Sequence, residues 1–257
     1  MNALEIDRLT VRYGHTTVVT DVTLAVPKGR TVGLVGESGS GKSTVAGAAV
    51  GLVRPEHGDV RVDGVSAMGR TPAARRARRR LQLVFQDPFS ALDPRMPVGE
   101  SIAEALRATG RRWTRAERIA RVRELLAQVH LDPDRAGDLP RAFSGGQRQR
   151  ITIARALAGE PSVLIADEVT SALDVSVQGA ILNLLRELQA DLGLSILFIS
   201  HNLAVVRYIS DEICVMRNGR LIEAGATEAL LSRPADPYTQ DLLDAVPVLG
   251  KRMIFDA

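Results

Sequence analysis

Thr31-Val32-Gly33-Leu34-Val35-Gly36-Glu37-Ser38-Gly39-Ser40-Gly41-Lys42-Ser43-Thr44 is the stretch that decides the fold class. Thr31 to Val35 is short, apolar and β-branched, the pattern of a buried strand. It runs straight into Gly36 to Ser43, which fits G-x-x-x-x-G-K-[ST]. Ser43 to Leu52 then reads as a helix, closed by Gly51 and Pro55. Glycines let such a loop wrap around phosphates with its amide N–H groups pointing inward. The helix N-terminus adds its positive dipole end. Lys42 is expected to reach the β- and γ-phosphates, and the Ser43 hydroxyl to ligate Mg²⁺. The pattern predicts an α/β domain built around a phosphate-binding loop.

On the N-terminal side the chain reads as β. Leu4, Ile6, Leu9 and Val11 mark one strand, and Val22, Leu24 and Val26 alternate in another. Asp59 to Asp63 alternates again, and Leu81 to Phe85 reads as a buried strand. From Val98 to Ala158 the chain becomes rich in Ala, Arg, Glu and Leu with helical periodicity. Ile119, Val122, Leu125, Leu126 and Val129 form one predicted stripe. Alternation of strand and helix then returns: strand Val163–Ala166, helix Val177–Leu192, strand Ile196–Ile199, helix Leu203–Ile209 and strand Ile213–Met216. Asn218-Gly219 signals a hairpin into Leu221-Ile222.

Two further segments narrow the chemistry. Val163-Leu164-Ile165-Ala166-Asp167-Glu168 is an apolar strand ending in two carboxylates. Asp167 is placed to hold Mg²⁺ through water, and Glu168 to polarise an attacking water as general base. Phe143-Ser144-Gly145-Gly146-Gln147-Arg148-Gln149-Arg150 places a second anion nest before a long helix. One chain needs one nest for its own triphosphate, so a second implies the γ-phosphate of another subunit's nucleotide.

With these motifs the sequence resembles the ATP-binding cassette (ABC) family of transporter ATPases along essentially its whole length. The family signature is Leu-Ser-Gly-Gly-Gln, and Phe143 stands here for the leucine. The resemblance implies a P-loop NTPase (RecA-like) core with an N-terminal antiparallel β subdomain and a helical signature subdomain. It places the core in 1–90 and 159–232, the helical subdomain in 91–158 and a tail in 233–257. It implies that ATP is held by Tyr13, stacked on adenine, and by Gly36, Ser38, Gly39, Ser40, Gly41, Lys42, Ser43 and Thr44. Ser144, Gly145, Gly146, Gln147 and Asp174, the last in Ser171-Ala172-Leu173-Asp174, would meet the partner subunit's ATP. Glu168, His201 and Gln86 would be catalytic, and Ser43, Gln86 and Asp167 would hold Mg²⁺. The family usually has Pro after the catalytic Glu. Val169 stands here, which leaves φ unfixed, so a freer turn and slower hydrolysis are expected with no catalytic group lost.

Gln86 to Met96, Thr170 to Gln178 and the tail Asp236-Pro237-Tyr238-Thr239-Gln240-Asp241-Leu242-Leu243 resemble the dipeptide, oligopeptide and nickel importer subfamily. The implied partners are a second ATPase subunit (an identical or a paralogous copy), two transmembrane permease subunits and, indirectly, an extracytoplasmic solute-binding protein. The implied place is the cytoplasmic face of the membrane. An exporter or lipoprotein-extraction ATPase is the alternative. A soluble P-loop kinase would have no use for Ser144 to Gln147. A nucleic-acid-associated ATPase is weighed against the run Arg75-Arg76, Arg78-Arg79-Arg80. That run has no interleaved aromatics for base stacking, so it reads as a solvated face and no nucleic acid is expected.

Composition agrees. The 257 residues carry 33 basic and 30 acidic side chains, a net +3, too weak a field to argue for nucleic acid. Lys28, Lys42 and Lys251 are the only lysines, so arginine dominates the positive charge. The longest apolar or small run, Val45 to Val53, is far short of the ~18 residues a membrane span requires. The N-terminus has neither a basic nor an apolar leader region, so no secretory signal is expected. The single Cys214 excludes a disulfide framework and is expected in the core, and His15, His57 and His130 lack metal-ligand spacing.

Overall fold

The computed structural model describes residues 1–245 of the 257; the last part of the expected tail, 246–257, lies outside the described residues. In chain order the elements are β1 (Asn2–Tyr13), β2 (Thr16–Pro27), β3 (Thr31–Val35), α1 (Lys42–Ala49), β4 (His57–Val62), β5 (Val65–Ser66), α2 (Pro72–Arg79) and β6 (Leu81–Val84). Then come α3 (Pro88–Ala91), α4 (Val98–Ala105), α5 (Arg115–Gln128) and α6 (Gly145–Leu157). The chain continues with β7 (Val163–Asp167), α7 (Val175–Leu192), β8 (Ser195–Ser200), α8 (Leu203–Ile209), β9 (Glu212–Arg217), β10 (Arg220–Ala226), α9 (Thr227–Ser232) and α10 (Pro237–Asp244).

Two sheets result. A four-stranded antiparallel sheet has the order β2-β1-β4-β5. A six-stranded sheet has the order β10-β9-β3-β8-β7-β6, parallel except for the edge pair β9–β10. Every residue of β3, β7 and β8 is buried, as expected of parallel strands covered on both faces. Alternate residues serve two cores. Leu164, Ala166, Ile196 and Phe198 pack with the helical segment α4–α6 and with α7. Val163, Ile165, Leu197 and Ile199 pack with α1 and the antiparallel sheet. Among the described residues no helix is long and apolar enough to cross a membrane.

The expected elements are present, with shifted limits. The first helix runs Lys42–Ala49, not Ser43–Leu52. Gly51, at φ 81°, ends it, and the N–H groups of Gly51 and Leu52 return to the carbonyls of Ala48 and Gly47. Asp63 leaves its strand for a turn with Gly64, both at positive φ, and Phe85 falls beyond β6. Ile119 departs from its predicted stripe and is 54% exposed, while Val122, Leu125 and Leu126 are buried. Asn218 and Gly219, both at positive φ, form the expected tight hairpin. Cys214 is buried in β9, where burial pushes its thiol up to about 12. In α2, Ala74 and Ala77 face inward while Arg75, Arg76 and Arg79 are exposed.

Candidate active site

The parallel strands end on one rim, and each supplies part of the expected site. Gly36 to Gly41 follows β3, Asp167 ends β7 with Glu168 after it, His201 follows β8, and Gln86 lies just past β6. Carboxyl ends of parallel strands are where ligands bind in such sheets.

The loop is shaped by its glycines and its lysine. Gly41 caps α1 at φ 104°, and a Cβ there would stand 2.9 Å from Met216 Cε and 3.1 Å from the Val18 carbonyl. At Gly36 a Cβ would meet the Met216 carbonyl at 2.1 Å. Glycine at both places lets the loop lie on the end of β9. The Lys42 ammonium donates to the carbonyls of Gly36 and Glu37, each at 2.8 Å, and to Ser40 Oγ at 3.3 Å. Burial lowers its pKa, against the fields of Glu168, Asp167 and Glu37. The loop is thus curled around a cation that carbonyls hold in place. Gly219 N–H donates to the Ser40 carbonyl at 3.0 Å and braces it from the hairpin. Ser38 and Gly39 are exposed at the tip, Ser43 is exposed and Thr44 half-buried.

Asp167 is 8% exposed, and one of its oxygens, Oδ1, has no hydrogen-bond partner among the described residues. Burial raises its pKa; a hydrogen bond with Ser43 and the charge of Lys42 pull the other way. An orphaned buried carboxylate oxygen beside a serine hydroxyl is a donor set that suits a hard cation such as Mg²⁺.

Glu168 sits at φ 50°, a costly backbone conformation for a side chain of its size. Neighbours enforce it. Its N–H donates to the Ile199 carbonyl at 2.9 Å, and its carbonyl accepts the Ser171 N–H and hydroxyl. Glu168 Oε1 lies 3.2 Å from His201 Nδ1. Val169 is 1% exposed in the core, so the turn is tied by packing and hydrogen bonds.

Ser144 caps α6 in a reciprocal arrangement: Gln147 N–H donates to Ser144 Oγ at 3.3 Å, and Ser144 N–H to Gln147 Oε1 at 3.0 Å. Phe143, in place of leucine, is buried beneath the Arg135 guanidinium, 4.0 Å from the ring centroid. Gly146 presses on α7, where a Cβ would meet Val177 Cγ1 at 2.4 Å, and Gly145 faces Leu173. Asp174 caps α7 by accepting the Val177 N–H at 2.9 Å. Bonds from Ser176 and Val177 lower its pKa. The two helix starts therefore form one surface, exposed at Ser144 and Asp174.

Tyr13 is half-exposed on the β1–β2 hairpin, paired with Thr16; Val18 of the same hairpin touches the loop at Gly41. Gln86 is exposed. Sequence reasoning missed Met216 and Gly219, which support the loop from β9 and its hairpin. It also missed Tyr238, whose hydroxyl accepts the Glu37 N–H at 3.0 Å.

Comparison with known proteins agrees with this geometry. A family model described as ABC transporter matches residues 19–171. A Brucella ovis protein provisionally named a peptide import ATP-binding protein is 49% identical over 231 residues, covering 90% of this chain and 73% of that protein. A Brucella abortus protein of the same provisional name is 51% identical over 231 residues, 89% of this chain and 69% of its own length. Among solved structures, cbiO1 of Clostridium perfringens, part of the ABC transporter complex cbiONQ, superposes with a TM-score of 0.81. The two are 27% identical, over 90% of this chain and 91% of that one. An ATP-binding cassette solved as a dimer in a post-hydrolysis state with ADP and Pi gives a TM-score of 0.76 at 28% identity, over 87% and 98%. With a family model over more than half of the chain and curated relatives aligned along nine-tenths of it, this chain belongs to the ABC transporter family as an ATP-binding, ATP-hydrolysing subunit.

Proposed function

We propose that this subunit powers peptide import by closing on a second ATPase subunit around two ATP molecules and hydrolysing them. The observation that carries the reading is the convergence, on one rim of the sheet, of the loop around Lys42, the buried Asp167 and the Glu168–His201 pair. Lys42 reaches the β- and γ-phosphates from its place in the loop, and the amides of Ser38 to Thr44 cradle them. Tyr13 stacks on the adenine. Ser144 to Gln147 and Asp174 of one subunit face the γ-phosphate held by the other.

Ser43, Asp167 and Gln86 would hold Mg²⁺, which when bound offsets phosphate charge. Glu168 accepts a proton from water as the water oxygen attacks the γ-phosphorus and the bond to the β-phosphate oxygen breaks. His201 fixes the Glu168 carboxylate, and Gln86 positions the water. Loss of the γ-phosphate removes the group that joins the two subunits, and the interface opens.

The chain divides in this reading as 1–90 with 159–232 for the core, 91–158 for the helical part and 233–257 for the tail. A groove of about 550 Å³ lined by Phe85, Ser90, Ala91, Ala105, Thr152 and Arg155 adjoins Gln86. It suits a segment from one of two permease subunits and would place the chain at the cytoplasmic face of the membrane. The names of the Brucella relatives, with the Gln86–Met96 and Asp236–Leu243 stretches, favour peptides as cargo, delivered by a solute-binding protein. The test is ATP turnover by the subunit co-purified with its native membrane partners. Peptide-loaded binding protein is expected to stimulate it; stimulation by a non-peptide solute instead would redirect the cargo assignment.

A further inference from the structure

The Asp236–Leu243 stretch forms α10, and one of its side chains reaches the phosphate loop across 201 residues of sequence. The Tyr238 ring is 3% exposed and lies beneath the Arg217 guanidinium, whose Cζ is 4.5 Å from the ring centroid. Its hydroxyl accepts the Glu37 N–H at 3.0 Å. The Glu37 side chain is exposed, so the residue is held by its backbone. Its carbonyl accepts both Lys42 Nζ at 2.8 Å and the Ser40 N–H at 3.2 Å.

The tyrosine is itself anchored. Asp236 caps α10 by accepting the Tyr238 N–H at 2.8 Å, and Pro237 occupies the first helical position. Glu223 of β10 accepts the N–H groups of Ala235 and Asp236 at 2.9 and 3.2 Å. A continuous chain of contacts thus runs from β10 through the start of α10 and the phenol to the residue that Lys42 grips.

We propose that Tyr238 is a positioning residue for the phosphate loop, setting ATP affinity from the C-terminal helix. The proposal rests on the reading of Gly36 to Ser43 as the ATP-binding loop. Lys42 has three donors, now given to the carbonyls of Gly36 and Glu37 and to Ser40 Oγ, so phosphate would compete for the bonds that tie the loop's first shoulder. The Tyr238 bond to the same residue keeps the shoulder in place, so the loop amides stay aimed. Its hydroxyl bonds to Glu37, apart from the Glu168–His201 pair, so the chemical step is expected to be unaffected.

Tyr238→Phe keeps the ring and the Arg217 stack and deletes the hydroxyl. In the full chain it is expected to raise KM for ATP about fivefold, the weight of one neutral hydrogen bond, with kcat unchanged. Amide hydrogen exchange at Glu37 to Ser40 is expected to quicken. If KM and that exchange are unchanged, whether or not the melting temperature falls, Tyr238 is only a packing residue and the proposal is wrong. Should Tyr238→Phe fold poorly, Glu223→Gln loosens the same helix and is expected to raise KM likewise; an unchanged KM there overturns the proposal. Lys42→Ala separates the two layers. If it binds ATP as tightly as the parent, the loop assignment itself fails. If it loses ATP while Tyr238→Phe leaves KM alone, only the tyrosine proposal fails.

Discussion

Gly146→Ala tests whether the starts of α6 and α7 act as one mechanical unit. The added methyl would stand 2.4 Å from Val177 Cγ1, so the Val177 side chain or one of the two helices must shift. Overpacking of this kind costs about 1–3 kcal/mol. Replacing a helical glycine by alanine returns up to about 1 kcal/mol. With that return the net expectation is a loss of up to about 2 kcal/mol, or a melting temperature lower by up to about 8 °C in a domain of this size. ATPase activity is expected to fall with it, because the shift displaces Ser144 and Asp174, the exposed caps of the two helices. Val177→Ala removes the obstructing methyl, and the next contact, Val177 Cβ at 3.6 Å, is ordinary. Gly146→Ala in that background is expected to be neutral or stabilising, so the pair should couple by about 1–3 kcal/mol in a double-mutant cycle. Denaturant unfolding of the four proteins, with ATP turnover measured on each, supplies the cycle. If Gly146→Ala costs as much without Val177 as with it, the two helix starts are independent and the reasoning is refuted.

Asp167→Asn is expected to stabilise the ligand-free protein while abolishing turnover. Burial raises the Asp167 pKa above 3.8, so its ionised form is a cost to the native state. That cost is absent below 3.8, grows as pH rises through the raised value and persists above it. The variant should therefore melt higher than the parent at neutral pH, with the gain shrinking as pH falls; a lower neutral melting point would count against the burial argument. Gly219→Ala places a Cβ 2.4 Å from the Val18 carbonyl at φ 79° and strains the N–H that holds the Ser40 carbonyl. It is expected to cost about 1–3 kcal/mol and to weaken ATP binding; unchanged ATP titration and unfolding curves would show that the hairpin does not brace the loop.

Much of this was legible in the sequence because local pattern and global fold agree. Thr31 to Val35 before a glycine loop, Val163 to Asp167 before Glu168, and Asn218-Gly219 each carry their structure in neighbouring residues. What escaped depends on distant contacts. A local exception is α1, which ends at Ala49, three residues before Leu52, although its closing Gly51 was legible. Ile119 belongs to a helical stripe by spacing, yet nothing in its own segment shows that the facing surface leaves it uncovered. The burial of Val169 is against other elements and cannot be read from its own segment. Tyr238 stands in a stretch noted for its resemblance to importer subunits, but its partner Glu37 is joined to it only by the fold. The capping of α6 by Ser144 and Gln147 is local and readable from Ser-x-x-Gln.

Central to the account is Glu168 as the base that activates water, held by His201 at 3.2 Å. Glu168→Gln preserves shape and hydrogen bonding but cannot accept the proton. ATP binding and turnover, measured side by side on this variant and the parent, address the claim directly. Parental ATP affinity, an ATP-dependent dimer that persists, and hydrolysis reduced by at least about 100-fold are expected. Hydrolysis at the parental rate would contradict the claim.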